Sequence, residues 1–279
     1  MKTEAMRNIL VPTDFSKTAD NALNVAVQLA RKHNSAIFLL HILEIPLQQI
    51  DAMSSHSELP EAIFFMKLAQ KRFDEVLNRK ELQDVKVHQV IKFNQTFAGV
   101  IDACKEYNID LIIMGSIGAS GFKDMFIGSN TEKVVRTSEV PVLVIKKEHS
   151  DFKINHFVFA SDFQKDSIKT FKKAIAFASL FDSKVHLVMV NTANQFITST
   201  NANERITAFM EEVVFNNYSF VLFNDESVEK GILNFAHHIN ADLIGISTHG
   251  RKGIAHFLNG SISEDLVNHA QRPVITFKI

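Results

Sequence analysis

Residues 115–130, GSIGASGFKDMFIGSN, gather four of the chain's ten glycines, Gly115, Gly118, Gly121 and Gly128, in one run that ends on Ser129 and Asn130. Glycine admits positive φ and lets a ligand approach backbone N–H groups closely. A helix entered directly after such a run presents further unpaired N–H donors to an anion. That chemistry suits phosphate. The strand-like DLIIM precedes the run and a helical pattern from Ser129 follows it, with Ser129-x-x-Glu132 reading as a capping box. A Walker A loop needs a lysine in the G-x4-G-K-[ST] frame, and neither that nor the dinucleotide G-x-G-x-x-G is present, so phosphate has to be held by backbone, Ser129 and Asn130. Three charge-assisted hydrogen bonds at roughly 1.5–3 kcal/mol each, set against an association cost of at least about 4 kcal/mol, bind weakly. A tight ligand therefore needs base and sugar contacts. Asp14, at the carboxyl end of the strand-like RNILVPT, can accept from ribose hydroxyls; equally, Asp or Ser here can cap the helix that starts near Lys17.

The run occurs twice. Residues 96–147 align beneath 228–279 at an offset of 132, pairing Gly99 with Gly231, Gly118 with Gly250, Gly128 with Gly260, Ser129 with Ser261 and Pro141 with Pro273. Upstream, VPTDF (11–15) pairs with FASDF (159–163) at an offset of 148, Asp14 meeting Asp162. The first copy is thus 16 residues longer, and EIPLQQIDAMSSHSELP (44–60), with no steady period and two prolines, is the place for the excess. Eight of the ten glycines fall within 115–128 and 245–260, which favours a ligand loop over the alternative of two tight turns.

These loops need elements to hold them. In the first copy RNILVPT, AIFLLHIL, VKVHQVIKF, DLIIMGS and PVLVIK read as buried strands, separated by helical patterns over KTADNALNVAVQLARKHN, about 57–80, 97–107 and from Ser129. The second copy runs NHFVFAS, a helix to about 182, KVHLVMVN, a helix over about 203–216, YSFVLF, a helix over 228–239, ADLIGIS, the loop, a helix and PVITFKI. Such alternation predicts the α/β class: two tandem doubly wound domains, 1–148 and 152–279, each a five-stranded parallel sheet flanked by helices, with a short linker near 146–153. In such sheets ligands sit beyond the carboxyl ends of the strands, where both glycine runs lie.

Composition narrows the classes. A formal net charge of −1 provides no field to collect nucleic acid, and no apolar run is long enough for a signal-peptide core or a membrane span, so neither nucleic acid nor membrane is an expected partner. The single cysteine, Cys104, fits a reducing compartment and a cytoplasmic location, and is read as a core residue, as are the 24 phenylalanines. His237-His238 and His249/His256 lack further ligands at suitable spacing, so no metal is expected.

The motifs VPTDFS, LLHIL, MGS-x-G, the G-x2-G-x9-G-S run from Gly115 to Ser129 and PVLVI resemble those of the universal stress protein family, and the whole chain is similar to a tandem member of it. Nucleotide-binding members of that family hold ATP in this loop, so the resemblance implies ATP, with or without Mg2+. It implies that Asp14 and Gly115 contact ribose, that the backbone of Ile42 meets adenine, and that Gly118, Gly128, Ser129 and Asn130 surround the phosphates. With Pro12 and Thr13 of the same strand end, and Asp162, Val190, Gly250, Gly260 and Ser261 in the second copy, these form the expected cofactor-binding set. Family domains pair through their last strands, so PVLVIK and PVITFKI are expected to join in an internal pseudo-dimer, which also covers open strand edges. The second copy departs from the pattern: Ser247 stands for Gly115 and Ala160 for Pro12, so the first copy is the better candidate site.

The implied function is an ATP-binding stress-response module whose occupancy alters a surface seen by a protein partner. The alternatives are a weak ATPase or phosphotransferase, and a nucleotide-free scaffold. Catalysis would need Mg2+ and an activated nucleophile, and no second acidic motif stands at suitable spacing. No catalytic residue is therefore assigned.

Overall fold

The computed structural model describes residues 6–44, 59–93, 95–116, 128–248 and 266–279. Ten strands form a single sheet. In the first half β1 (Asn8–Pro12), β2 (Ala36–Leu43), β3 (Val87–Phe93), β4 (Leu111–Gly115) and β5 (Val142–Ile145) are parallel and ordered β3-β2-β1-β4-β5. The second half, β6 (His156–Ala160), β7 (Lys184–Asn191), β8 (Tyr218–Asn224), β9 (Leu243–Thr248) and β10 (Val274–Lys278), repeats that order as β8-β7-β6-β9-β10.

The halves meet where β5 and β10 pair antiparallel, Val144 opposite Val274, Leu143 opposite Ile275 and Val142 opposite Thr276. The pseudo-dimer expected from the sequence is thus one continuous ten-stranded sheet. Two lysines reinforce the junction. Lys278, ending β10, donates to the Thr137 carbonyl at 3.2 Å and to Glu139 Oε1 at 2.6 Å, and Lys146, just after β5, donates to the Asn268 carbonyl. Each cation therefore sits at the carbonyl end of a helix in the other half, where the helix dipole favours positive charge.

Strand residues alternate between two buried layers, which is why the strands read as continuous apolar runs. Ile9 and Val11 face a core shared with α1 (Lys17–His33), α2 (Leu59–Leu77), α5 (Ile168–Ser179) and α6 (Ser199–Glu211). Leu10 faces the other core, with α3 (Thr96–Glu106), α4 (Ser129–Thr137), α7 (Val228–His238) and the helical residues 266–269. Among the described residues no helix is long and apolar enough to cross a membrane.

Local differences from the sequence reading have local causes. Helix α6 spans 199–211, not 203–216, because the Thr198 side chain accepts from Asn201 N and starts the helix one turn early. The segment read as a linker is packed: Gln28 Oε1 accepts from Phe152 N at 2.6 Å, Gln28 Nε2 donates to the His149 carbonyl at 2.7 Å, and Phe152 and Ile154 are buried. Phenylalanines 73, 157, 159, 163, 171 and 277 are fully buried, whereas Phe64, Phe65, Phe93 and Phe196 are exposed and are not core residues.

Candidate functional site

Strand β1 ends in a turn whose bonds come from its own residues. Phe15 N donates to Thr13 Oγ1 at 2.9 Å, and Ser16 N donates to Asp14 Oδ1 at 3.0 Å. Phe15 is thereby held at φ 61°, a conformation uncommon for a bulky residue. Its ring is clamped between His41, at 4.8 Å between centroids, and Phe73, at 5.3 Å. His41 Nδ1 in turn lies 2.8 Å from the Thr13 carbonyl oxygen, and Thr13 N donates to the Leu40 carbonyl at 2.8 Å. The second half builds the same turn, with Phe163 at φ 53°, its N–H on Ser161 Oγ at 3.0 Å, and Gln164 N on Asp162 Oδ1 at 3.2 Å. Ser16 is the residue that caps α1, accepting from Ala19 N, so Asp14 is left out of the helix cap.

On the other side of the switch between β1 and β4, helix α4 is tied to the end of β4. Gly128 N donates to the Ser116 carbonyl at 2.8 Å, and Thr131 Oγ1 to the Gly115 carbonyl at 3.1 Å. The capping box read from Ser129 and Glu132 does not form. Gly128 is the cap, extended at φ −61° and ψ 140° with no side-chain cap bond, and Ser129 is the exposed first residue of the helix. Glu132 instead lies 3.9 Å from Arg136, one turn along. Glycine at the cap has no side chain to cover the helix end, and the first helical residues, Ser129, Asn130 and Thr131, line the cleft.

These ends enclose a cleft of about 360 Å3 beyond the carboxyl ends of β1, β2 and β4. It is lined by Pro12, Thr13, Asp14, Ile42, Gly115, Gly128, Ser129 and Asn130, eight of the residues singled out in the sequence. Gly118, Gly250, Gly260 and Ser261 lie outside the described residues. Asp162 and Val190 stand at the corresponding strand ends of the second half; the Val190 side chain packs where Gly231 of α7 leaves room, a Cβ there falling 2.5 Å from Val190 Cγ1.

The sequence reading missed Ala19, Leu40, His41, Thr96, Met114 and Thr131, which also line the cleft. Thr96 belongs to a rim formed at a distance. Glu44 Oε1, just past β2, accepts from Thr96 N at 2.9 Å and from Thr96 Oγ1 at 2.5 Å, capping α3 in place of Gln95. Those bonds, with a smaller contribution from the Lys133 charge, hold the Glu44 carboxyl below its ordinary range. Thr96 has no counterpart hydroxyl in the second half, where the aligned residue is Val228, so the repeat could not reveal it.

The fold and cleft together define a class: a tandem doubly wound α/β protein whose pocket lies at the topological switch point, where open parallel sheets receive ligands. The sequence model of the universal stress protein family matches residues 6–146 and 223–278, and the chain belongs to that family. It is 32% identical over 157 residues to universal stress protein MJ0577 of Methanocaldococcus jannaschii, covering 52% of this chain and 97% of that protein. Universal stress protein Slr1230 of Synechocystis is 25% identical over 296 residues, covering 98% of this chain and all of the relative. The crystal structure of a universal stress protein from Archaeoglobus fulgidus, 22% identical, shares the fold over 98% of both chains with a TM-score of 0.75. Residues 147–222, between the two matched regions, nevertheless form β6, β7 and most of β8 in the family order.

Proposed function

We propose that the first-half cleft holds ATP and that the protein is a nucleotide-dependent regulatory module, its two domains being residues 1–148 and 152–279. The observation that supports this reading is convergence: strand ends separated by up to about a hundred residues bring Asp14, Ile42 and the start of α4 around one cleft. The donor set fits a nucleotide. The Asp14 carboxylate stands where it can accept from ribose hydroxyls, the β2 backbone at Ile42 offers amide and carbonyl groups to a purine edge, and the N–H groups opening α4 suit phosphate. Asn130 supplies an amide donor at the same helix end. When bound, the nucleotide would bring phosphate charge to the N–H groups opening α4, and Mg2+ accompanying ATP would neutralise part of that charge. A cytoplasmic location and an unidentified protein partner complete the proposal, the former supported by a single buried cysteine.

Calorimetric titration of the full chain with ATP tests it, alongside Asp14→Asn and Asn130→Ala. Loss of one charged hydrogen bond, about 1.5–3 kcal/mol, predicts roughly ten- to hundredfold weaker binding in Asp14→Asn. Wild-type protein that binds no adenine nucleotide would overturn the reading in favour of a nucleotide-free scaffold. Sustained ADP formation from Mg-ATP, lost in both variants, would favour an enzyme.

A further inference from the structure

The nucleotide reading leaves unused a polar cluster at the opposite end of the second-half strands. His156 opens β6, His186 is the third residue of β7, and Ser219 is the second residue of β8, paired with His186. His156 Nδ1 lies 3.0 Å from His186 Nε2, and His186 Nδ1 lies 3.0 Å from Ser219 Oγ. The imidazole centroids are 5.2 Å apart with the rings inclined at 46°. His156 is exposed and His186 half-buried, so water reaches the pair.

The fold does not demand these residues. The corresponding positions of the first half are Asn8, Phe38 and His88. There Phe38 stacks on His88 at 4.7 Å and on Tyr107 at 4.9 Å, and Asn8 Nδ2 donates to the Tyr107 carbonyl. An aromatic stack does the packing in one half; two facing ring nitrogens replace it in the other.

We propose that His156 Nδ1 and His186 Nε2 form a two-nitrogen site for a tetragonal transition-metal dication, Cu2+ or Ni2+, with water in the remaining positions. With metal–nitrogen bonds of about 2.0–2.1 Å, a 3.0 Å nitrogen separation subtends about 95° at the metal. That is the cis angle of square-planar or tetragonal coordination. In the metal-free pair these nitrogens share one N–H···N hydrogen bond; for a metal to take its place, the shared hydrogen moves to the far nitrogen of its own ring and each ring tilts until its lone pair points at a common centre. Ser219 serves as the orienting partner: with its hydroxyl oxygen accepting from His186 Nδ1–H, the Nε2 lone pair is the one turned toward His156 and the metal.

Asp242 Oδ2 accepts from the backbone N–H groups of Asn155 and His156 at 2.8 and 2.9 Å, placing a carboxylate at the same strand end. Lys184, two residues before His186 on the same face, opposes it. Burial first, then the His156 and Lys184 charges, push His186 below the ordinary histidine range. Among the described residues no group of three or more His, Cys, Asp or Glu side chains gathers here, so the site is a two-ligand one that exchanges metal with solution. The sequence reading weighed only His237-His238 and His249/His256 and expected no metal; the strands bring together histidines 30 positions apart.

The test is titration of the metal-free full chain with CuCl2 at pH 7.5, followed by calorimetry and electron paramagnetic resonance. The first equivalent should show two equatorial nitrogens. His186→Phe and His156→Asn, which install the first-half residues, should each weaken that equivalent at least about tenfold and remove one nitrogen. Ser219→Ala should weaken it by a smaller factor with the spectrum unchanged. Copper binding that is unaltered in both histidine variants places the metal elsewhere, His237-His238 included, and overturns the proposal. So does wild-type protein that takes up no copper in the titration.

Discussion

Gly115→Ala isolates the close approach on which the cleft is built. A Cβ at this position would lie 2.8 Å from the carbonyl carbon and oxygen of Thr18 and 3.1 Å from Thr18 Cβ. The two nearest atoms are backbone in the first turn of α1, and no rotamer change can relieve them, so the helix start has to move. Overpacking of this kind costs about 1–3 kcal/mol, partly offset by about 0.5–1 kcal/mol because alanine restricts the unfolded strand. A net loss of up to about 2.5 kcal/mol corresponds to a fall in Tm of up to roughly 4 °C at the average unfolding entropy of a chain of this size. Asp14 precedes the same helix start, so ATP affinity should fall with stability. The second half has already made the exchange. Ser247 takes the glycine's place, and the residues equivalent to the start of α1, Lys165–Ser167, form a 3-10 turn before α5 begins at Ile168. Among the described residues Ser247 Oγ is buried without a hydrogen-bond partner. The reciprocal Ser247→Gly variant should therefore change Tm by less than about 2 °C, since the flexibility it adds is set against the removal of an unpaired hydroxyl. Thermal unfolding by circular dichroism and calorimetric ATP titration measure both variants. Gly115→Ala protein that melts within about 1 °C of wild type and binds ATP equally well would show that the Thr18 backbone does not limit the site.

Two further outcomes concern titratable groups. Burial pushes the Cys104 thiol up to about 12; at pH 8 thiol reagents should label the native protein only as fast as it opens, and rapid stoichiometric labelling would contradict the buried position. Burial, with a smaller push from the Lys147 charge, lowers Lys146 from 10.5 to about 8 despite its bond to the Asn268 carbonyl. Between these values the unfolded chain holds more protons than the folded one, so stability should rise as pH goes from about 8 to about 10.5. Denaturant titrations across that range should show this contribution in wild type and lose it in Lys146→Met; equal slopes would refute it.

Much of the architecture could be read directly. Apolar runs of strand length, helical spacing between them and the 132- and 148-residue offsets led to two five-stranded parallel units, because burial on both faces leaves a composition signal in every strand. The Asp14 turn was half legible: the candidates for cap and ribose contact were named, but Ser16 takes the first role and leaves Asp14 out of it. The capping box at Ser129 failed because the motif is a statement about spacing, and Gly128, tethered to Ser116, begins the helix one residue earlier than that spacing requires.

Sequence alone determined what is periodic, repeated or local: the strands and helices, the duplication, the glycine-rich runs and the D-F turns, whose bonds join residues two apart. Tertiary structure decided what depends on strand register and helix docking. Glu44 reaches Thr96, the Thr18 backbone excludes any side chain at 115, lysines cross between halves, and His156 meets His186. The physical reason is that side chains meeting across neighbouring strands carry no fixed sequence spacing. Their contact exists only once burial of both sheet faces has set the register.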